Sequence, residues 1–190
     1  MRILLTGAAG FIGSHLAEAL LAGGHDVLGF DNFDPFYARA IKERNLAPAE
    51  RSGRFRFVEG DLRDREAVRG LFEGEPHDVV VHLAARAGVR PSLADPAGYI
   101  DTNLTGTTHL LDAMVEAGQK RLVFASSSSV YGNSDKVPFH EDDRVDRPIS
   151  VYAMTKKAAE ELCHVYAALY GIHTVCLRFF TVYGPRQRPE

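Results

Sequence analysis

Residues Arg2-Ile3-Leu4-Leu5-Thr6-Gly7-Ala8-Ala9-Gly10-Phe11-Ile12-Gly13 decide the fold. An apolar run too short for a helix ends at Thr6, and glycines follow at positions 7, 10 and 13. The next apolar residues, Ile12, Leu16, Ala19 and Leu20, recur at helical spacing until Gly23-Gly24 stops them. The first pattern belongs to a strand covered on both faces, the second to an amphipathic helix with a glycine C-terminus. Strand, glycine turn and helix open a β-α-β unit, and the rest of the chain can be read outward from it.

Short apolar or β-branched runs at 2–6, 26–30, 54–58, 78–83, 121–125 and 173–178 predict six strands. Helical periodicity joins them through Ile100, Leu104, Thr107, Leu111 and Met114, ending at Gly118. It does so again through Val151, Ala158, Leu162, Val165 and Leu169, ending at Gly171. Right-handed crossovers assemble such units into an α/β, Rossmann-like, doubly wound parallel sheet with helices on both faces. Two stretches, 84–98 and 132–150, each hold two prolines and read as long loops; the second also carries five acidic residues. Loops of that length in a compact domain are more often functional than idle.

Composition fits this frame. With 190 residues, 45% hydrophobic and 25% charged, the chain suits one folded domain and has no room for a second full one. The net charge is −3, and basic residues are scattered among acidic ones, so no nucleic-acid footprint is present. The apolar runs are strand-sized, and the N-terminus breaks into glycine before a signal-peptide core could form, which excludes a membrane span and points to the cytoplasm. Cys163 and Cys176 lack a C-x-x-C partner and read as buried free thiols, and the dispersed histidines give no metal-ligand spacing.

The turn from Gly7 to Gly13 suits a dinucleotide pyrophosphate. Gly7 permits the tight turn, Gly10 lets phosphate approach the backbone, and Gly13 lets helix pack closely on strand, while the free amides around Phe11 and Ile12 face the anion. The spacing is G-x-x-G-x-x-G, and the context strengthens it: Asp31 closes the second strand, where it can take both ribose hydroxyls of an adenosine. Asp31 followed by Asn32, with no arginine, favours NAD over NADP. Asp61-Leu62, after the third strand, can contact the adenine, or Asp61 can cap the next helix.

Tyr152 and Lys156 lie one helical turn apart, on a line rotated from the apolar stripe. A phenol with a pKa of about 10 is a poor base at neutral pH, and a neighbouring ammonium favours its ionised form. Tyr152 can then take a proton from a substrate hydroxyl, and Lys156 can also hold a cofactor ribose hydroxyl. Such a pair also arises by chance on helices. Its weight comes from Ser126-Ser127-Ser128-Ser129 at the carboxyl end of the fifth strand, where open α/β sheets bind ligands and where these hydroxyls can orient a polar substrate.

Taken with His82-Leu83-Ala84-Ala85, Asn103, Val130-Tyr131-Gly132 and the segment from Arg178 to Pro185, these features resemble the extended short-chain dehydrogenase/reductase family. Within it the chain looks most like the NAD-dependent nucleotide-sugar 4-epimerases. The resemblance implies a tightly held NAD and a triad of Ser127, Tyr152 and Lys156. Tyr152 would act as base on the sugar 4-hydroxyl, with epimerisation through a transient 4-keto sugar. It also implies that Leu83, Ala84, Ala85 and Asn103 line the cofactor, and that Phe180 and Thr181 edge the nicotinamide and sugar pocket. Ser128, Ser129 and Arg188 would meet the substrate, although Arg188 can equally be a solvated terminal charge.

Family dehydratases carry carboxylates where this chain has Ser128-Ser129, so redox at C4 without elimination is favoured over a dehydratase or a reductase. Ala87-Gly88-Val89-Arg90, Pro138-Phe139 and the segment from Asp146 to Ser150 look like UDP-glucuronate 4-epimerases. Arg186-Gln187-Arg188-Pro189 departs from the Trp-Gly-Arg-Pro of those enzymes and leaves UDP-glucose open as the UDP-sugar. The resemblance further implies a homodimer, and a C-terminal substrate region that residues 1–190 do not contain. A cofactor-binding module without turnover is therefore the alternative.

Overall fold

The computed structural model describes residues 1–187 of the chain. Six strands, β1 (Arg2–Thr6), β2 (Asp26–Asp31), β3 (Phe55–Glu59), β4 (Val79–His82), β5 (Arg121–Ser127) and β6 (His173–Phe179), form one sheet. All pairings are parallel, and the order is β3-β2-β1-β4-β5-β6. Strand order reverses between β1 and β4, so a crevice opens beyond their carboxyl ends, where Thr6 pairs with His82.

Among the described residues, seven α-helices cover the sheet: α1 (Phe11–Ala22), α2 (Arg39–Glu50), α3 (Arg65–Gly70), α4 (Val89–Ala94), α5 (Pro96–Ile100), α6 (Gly106–Glu116) and α7 (Val151–Tyr170). Alternation along β1 sorts the two cores. Leu4 joins Phe30, Val80, Leu122 and Phe124 beneath α3, α6 and α7, while Ile3 and Leu5 join Val27 and Val81 beneath Ala17 of α1 and Leu46 of α2. On that second face the edge strand β6 leaves Val175 and Leu177 exposed among the described residues. No helix among the described residues is long and apolar enough to cross a membrane.

The structure corrects the expected loop at 84–98, which contains α4 and α5. Its two prolines fall in first helical turns, where a missing N–H costs nothing, and Asp95 caps α5 by accepting from the Gly98 N–H. Residues 132–150 do form an irregular segment, apart from turns. Helices α2 and α3 carried no clear apolar stripe: α2 buries Lys42 and Asn45 and contains Pro48, and α3 is a short piece capped by Asp64. Helices α5 and α6 are joined end to end by a single π-turn, Asp101–Thr105. Of the two cysteines, both free, Cys163 is buried and Cys176 only half-buried.

His82 fastens the centre of the switch point. Thr107 Oγ1 donates to the Asn103 carbonyl at 2.6 Å, so it accepts from His82 Nε2–H at 3.0 Å, and Nδ1 accepts from the Thr6 hydroxyl at 2.6 Å. Burial, and behind it the Lys156 charge, push His82 down to about 3. A depressed folded-state pKa gives full stability above the unfolded value of about 6.5, lost as pH falls towards the folded one. The slope from this group is at most about 1.4 kcal/mol per pH unit. Urea unfolding should therefore separate the chain from His82→Gln by less at about pH 4.5 than at about pH 7; equal margins would remove His82 from the acid lability.

Candidate active site

The glycine turn is fixed by contacts that leave no room for side chains. Gly7 has φ +73°, its N–H donates to the Phe30 carbonyl at 2.8 Å, and a Cβ there would lie 2.7 Å from the Ala84 nitrogen. A Cβ on Gly13 would lie 2.0 Å from the Gly7 carbonyl oxygen. Helix α1 starts after Gly10 in extended conformation, with no side-chain cap, so its first-turn amides lack intrahelical acceptors. These amides border the crevice, as a phosphate-binding helix start requires.

Asp31 ends β2 and is 7% exposed. Its oxygens accept from the Ala9 N–H at 3.1 Å and the Phe33 N–H at 2.9 Å, and Lys42 Nζ stands 3.7 Å from Oδ1. Lys42 was not legible in the sequence: its one signal is a basic residue on the buried side of a polar helix, and its carboxylate partner lies in another element. Asp61 accepts from Asn32 Nδ2 at 2.9 Å and from the Arg63 guanidinium, which holds its carboxyl well below the usual range. The helix is capped by Asp64 and not by Asp61. Leu62 packs against Gly106, where a Cβ would come within 2.7 Å of its own.

On the other side of the switch point, Ser150 caps α7 by accepting from the Ala153 N–H at 3.0 Å, which sets the rotation of the helix. Tyr152 is half-buried and meets the Tyr99 ring edge-on at 6.4 Å. Lys156 is 4% exposed, donates to the Ala125 carbonyl at 2.8 Å, and is pushed by burial down to about 8. β5 runs two residues further than expected, so Ser127 is its last residue. The Ser127 hydroxyl accepts from the Ser129 N–H at 3.1 Å and donates to Ser129 Oγ at 3.2 Å, capping the short 3-10 turn Ser128–Tyr131. Phe180 stacks with Tyr131 at 6.3 Å and Phe139 at 5.8 Å, which fixes the wall that continues into Thr181.

One cleft of about 550 Å³ gathers these groups. Gly7, Gly10, Phe11, Ile12, Gly13, Asp31, Asn32, Asp61 and Leu62 line one half of it. Leu83, Ala84, Ala85, Ser127, Ser128, Ser129, Tyr152, Lys156, Phe180 and Thr181 line the other. Asn103 is not in the lining. Its amide donates to the Arg86 carbonyl and Thr155 Oγ1, each at 3.0 Å, and its carbonyl accepts from the Arg86 N–H at 2.8 Å, so it ties the cleft wall to α7 from behind. Arg188 lies outside the described residues. Arg86, unread in the sequence, lines the cleft and pairs with Asp95 above the Tyr99 ring.

A family model described as NAD dependent epimerase/dehydratase family matches residues 3–190. UDP-glucuronate 4-epimerase 2 of Arabidopsis thaliana is 50% identical over 189 residues, which are 99% of this chain and 43% of that protein. Probable UDP-glucuronate 4-epimerase of Rhizobium meliloti (strain 1021) is 47% identical over 190 residues, 100% of this chain and 56% of that protein. The crystal structure of UDP-glucuronic acid 4-epimerase from Bacillus cereus in complex with UDP-glucuronic acid and NAD superposes with a TM-score of 0.92 at 42% identity, covering 100% of this chain and 60% of that one. The chain thus spans about half the length of the curated relatives it matches.

Proposed function

The chain belongs to the NAD dependent epimerase/dehydratase family, and from that membership we propose that its cleft holds NAD and serves the C4 epimerisation of a UDP-sugar, UDP-glucuronate foremost. The observation that carries this reading is the single cleft in which the glycine turn and Asp31 face Tyr152, Lys156 and a serine turn free of carboxylates. The fit to a dinucleotide rests on the turn itself, since Cβ atoms on Gly7 or Gly13 would collide with backbone and the α1 amides are uncapped. Asp31 would take the adenosine ribose hydroxyls, and its carboxylate opposes a 2′-phosphate.

Bound NAD supplies reversible hydride acceptance at the sugar C4. The residues do the rest. Tyr152 Oη takes the proton of the 4-hydroxyl and returns it after the sugar has presented its other face. The Lys156 ammonium, one turn away, stabilises the ionised phenol. Ser127 and its neighbours orient the sugar, and residues 126–129 carry no carboxylate to act as the added acid or base that loss of water needs. The close identity to proteins named UDP-glucuronate 4-epimerases supports that sugar over UDP-glucose.

Incubation with NAD and either UDP-glucuronate or UDP-glucose, followed by proton NMR, tests the proposal. The C4 epimer of UDP-glucuronate should accumulate to an equilibrium mixture, faster than that of UDP-glucose. A second reading, a cofactor-binding module, is favoured by one fact: the chain spans 43% to 60% of the relatives described above. Calorimetry showing NAD binding with neither UDP-sugar bound nor turned over would select it.

A further inference from the structure

Tyr152, Lys156 and Glu160 follow one another at four-residue steps along α7 and so share one line of the helix. A lysine and a glutamate four residues apart are neighbours on a helix surface and can pair. The adjacent line of α7 does this: Lys157 and Glu161 form an ion pair. Lys156 and Glu160 do not, although helix, spacing and residue types are the same. Lys156 turns to the Ala125 carbonyl, and Glu160 is drawn the other way. Glu160 accepts from Arg178 Nε at 3.0 Å and from Nη2 at 2.9 Å, in a two-pronged pair with side chains 10% and 19% exposed, and its Oε1 also accepts from the Ser126 hydroxyl.

Arg178 is itself held in place. Its Nη1 donates to the Glu141 carbonyl at 3.0 Å and the Tyr131 hydroxyl at 3.3 Å, and its guanidinium sits 5.1 Å over the Tyr131 ring. The fork is therefore fixed to β6, to the turn after the serines and to the 132–150 segment at once. A carboxylate at this depth needs a cation, and without Arg178 the nearest cation on its own helix line is Lys156.

We propose that Arg178 is a positioning residue for the Tyr152–Lys156 pair: by holding the Glu160 carboxylate against β6 it leaves the Lys156 ammonium unpaired and directed at the cleft. Pairing with Glu160 would pull the ammonium one turn away from Tyr152 and cancel the charge that favours its phenolate. The proposal rests on the epimerase reading for its catalytic meaning, but not for its geometry.

The titratable groups that act on Lys156 are Cys163 on α7 and His82 on β4, which is neutral, and from β5 it meets the Phe124 ring, at 5.1 Å, and the Ala125 carbonyl. Glu160 is the carboxylate one turn further along the same line of α7.

Lysine-selective ¹³C NMR titration of the 190-residue chain, without sugar or cofactor, tests this, with the Lys156 signal assigned by its loss in Lys156→Met. In the unaltered chain Lys156 should titrate near 8. Arg178→Met frees Glu160 and should raise that value by about one unit or more. Glu160→Gln leaves the guanidinium unpaired and should lower it, and the double variant should return to within about half a unit of the starting value. A purely structural role would move both single variants in the same direction, and that result overturns the proposal. If Arg178→Met does not fold, Glu160→Gln alone decides, since an unchanged or raised Lys156 titration refutes the assignment. The readout involves no sugar chemistry, so a failure of the epimerase reading is scored separately by the turnover assay.

Discussion

Tyr152→Phe is expected to lower the proposed C4 epimerisation by about a thousandfold or more while leaving NAD affinity within about threefold. The size follows from general-base catalysis, which contributes about 10² to 10⁴, and from the lining of this half of the cleft, where no histidine or carboxylate stands beside Ser127, Ser128 and Ser129. The specificity of the change follows from packing. The Tyr152 ring meets Tyr99 edge-on at 6.4 Å, and Tyr99 is anchored by its hydroxyl to the Ala87 carbonyl at 2.8 Å. Phenylalanine fills the same space, so the fold and the dinucleotide half of the cleft are untouched. Turnover by NMR beside calorimetry with NAD checks both halves. Retention of a tenth or more of the activity would place the base elsewhere.

The parts of this architecture that were legible in the sequence are those where chemistry dictates residue type at fixed spacing. The glycines at 7 and 13 are dictated by backbone collisions, that at 10 by the approach of a phosphate, and Tyr152 and Lys156 by a shared helix face. Continuous apolar runs gave the strands to within a residue or two. β5 extended further because Ser126 and Ser127 stay in the sheet, paired with Arg178 and Phe179, although serine is ordinarily a turn residue.

What escaped was held by partners far away in the chain. Lys42 is explained by Asp31, Arg86 by Asp95 and Asn103, and Glu160 by Ser126 and Arg178, and periodicity carries no trace of such pairings. Helix α2 was missed for a related reason: its buried side includes Lys42 and Asn45, and Asn45 donates to the Ala9 carbonyl at 3.2 Å, so a polar residue does the packing of an apolar one. Asn103 was placed in the cleft by family likeness, whereas its hydrogen bonds put it behind the wall, where it sets the backbone at Arg86.

Gly13→Ala should weaken dinucleotide binding strongly and destabilise the fold together, whereas Gly10→Ala should weaken binding with little change in stability. The added methyl at Gly13 would sit 2.0 Å from the Gly7 oxygen, 2.8 Å from the Gly7 carbonyl carbon and 3.0 Å from Ala8 Cα, all of them backbone. None can give way. Gly7 is pinned by its amide to Phe30, and its own Cα faces the Ala84 backbone on the opposite side. The strain must then lift α1 from β1, which pulls Ala17 and Leu16 out of the core they share with Ile3 and Leu5. Overpacking of this kind costs about 1 to 3 kcal/mol, and displacing the α1 amides takes their N–H groups away from the pyrophosphate. A methyl on Gly10 meets only the Gly7 oxygen, at 3.2 Å, so the helix can stay in place and the loss falls on the approach of the pyrophosphate alone. Thermal unfolding and NAD calorimetry on the two variants separate these outcomes. An unchanged melting temperature for Gly13→Ala would mean that helix and strand are not held together by this contact.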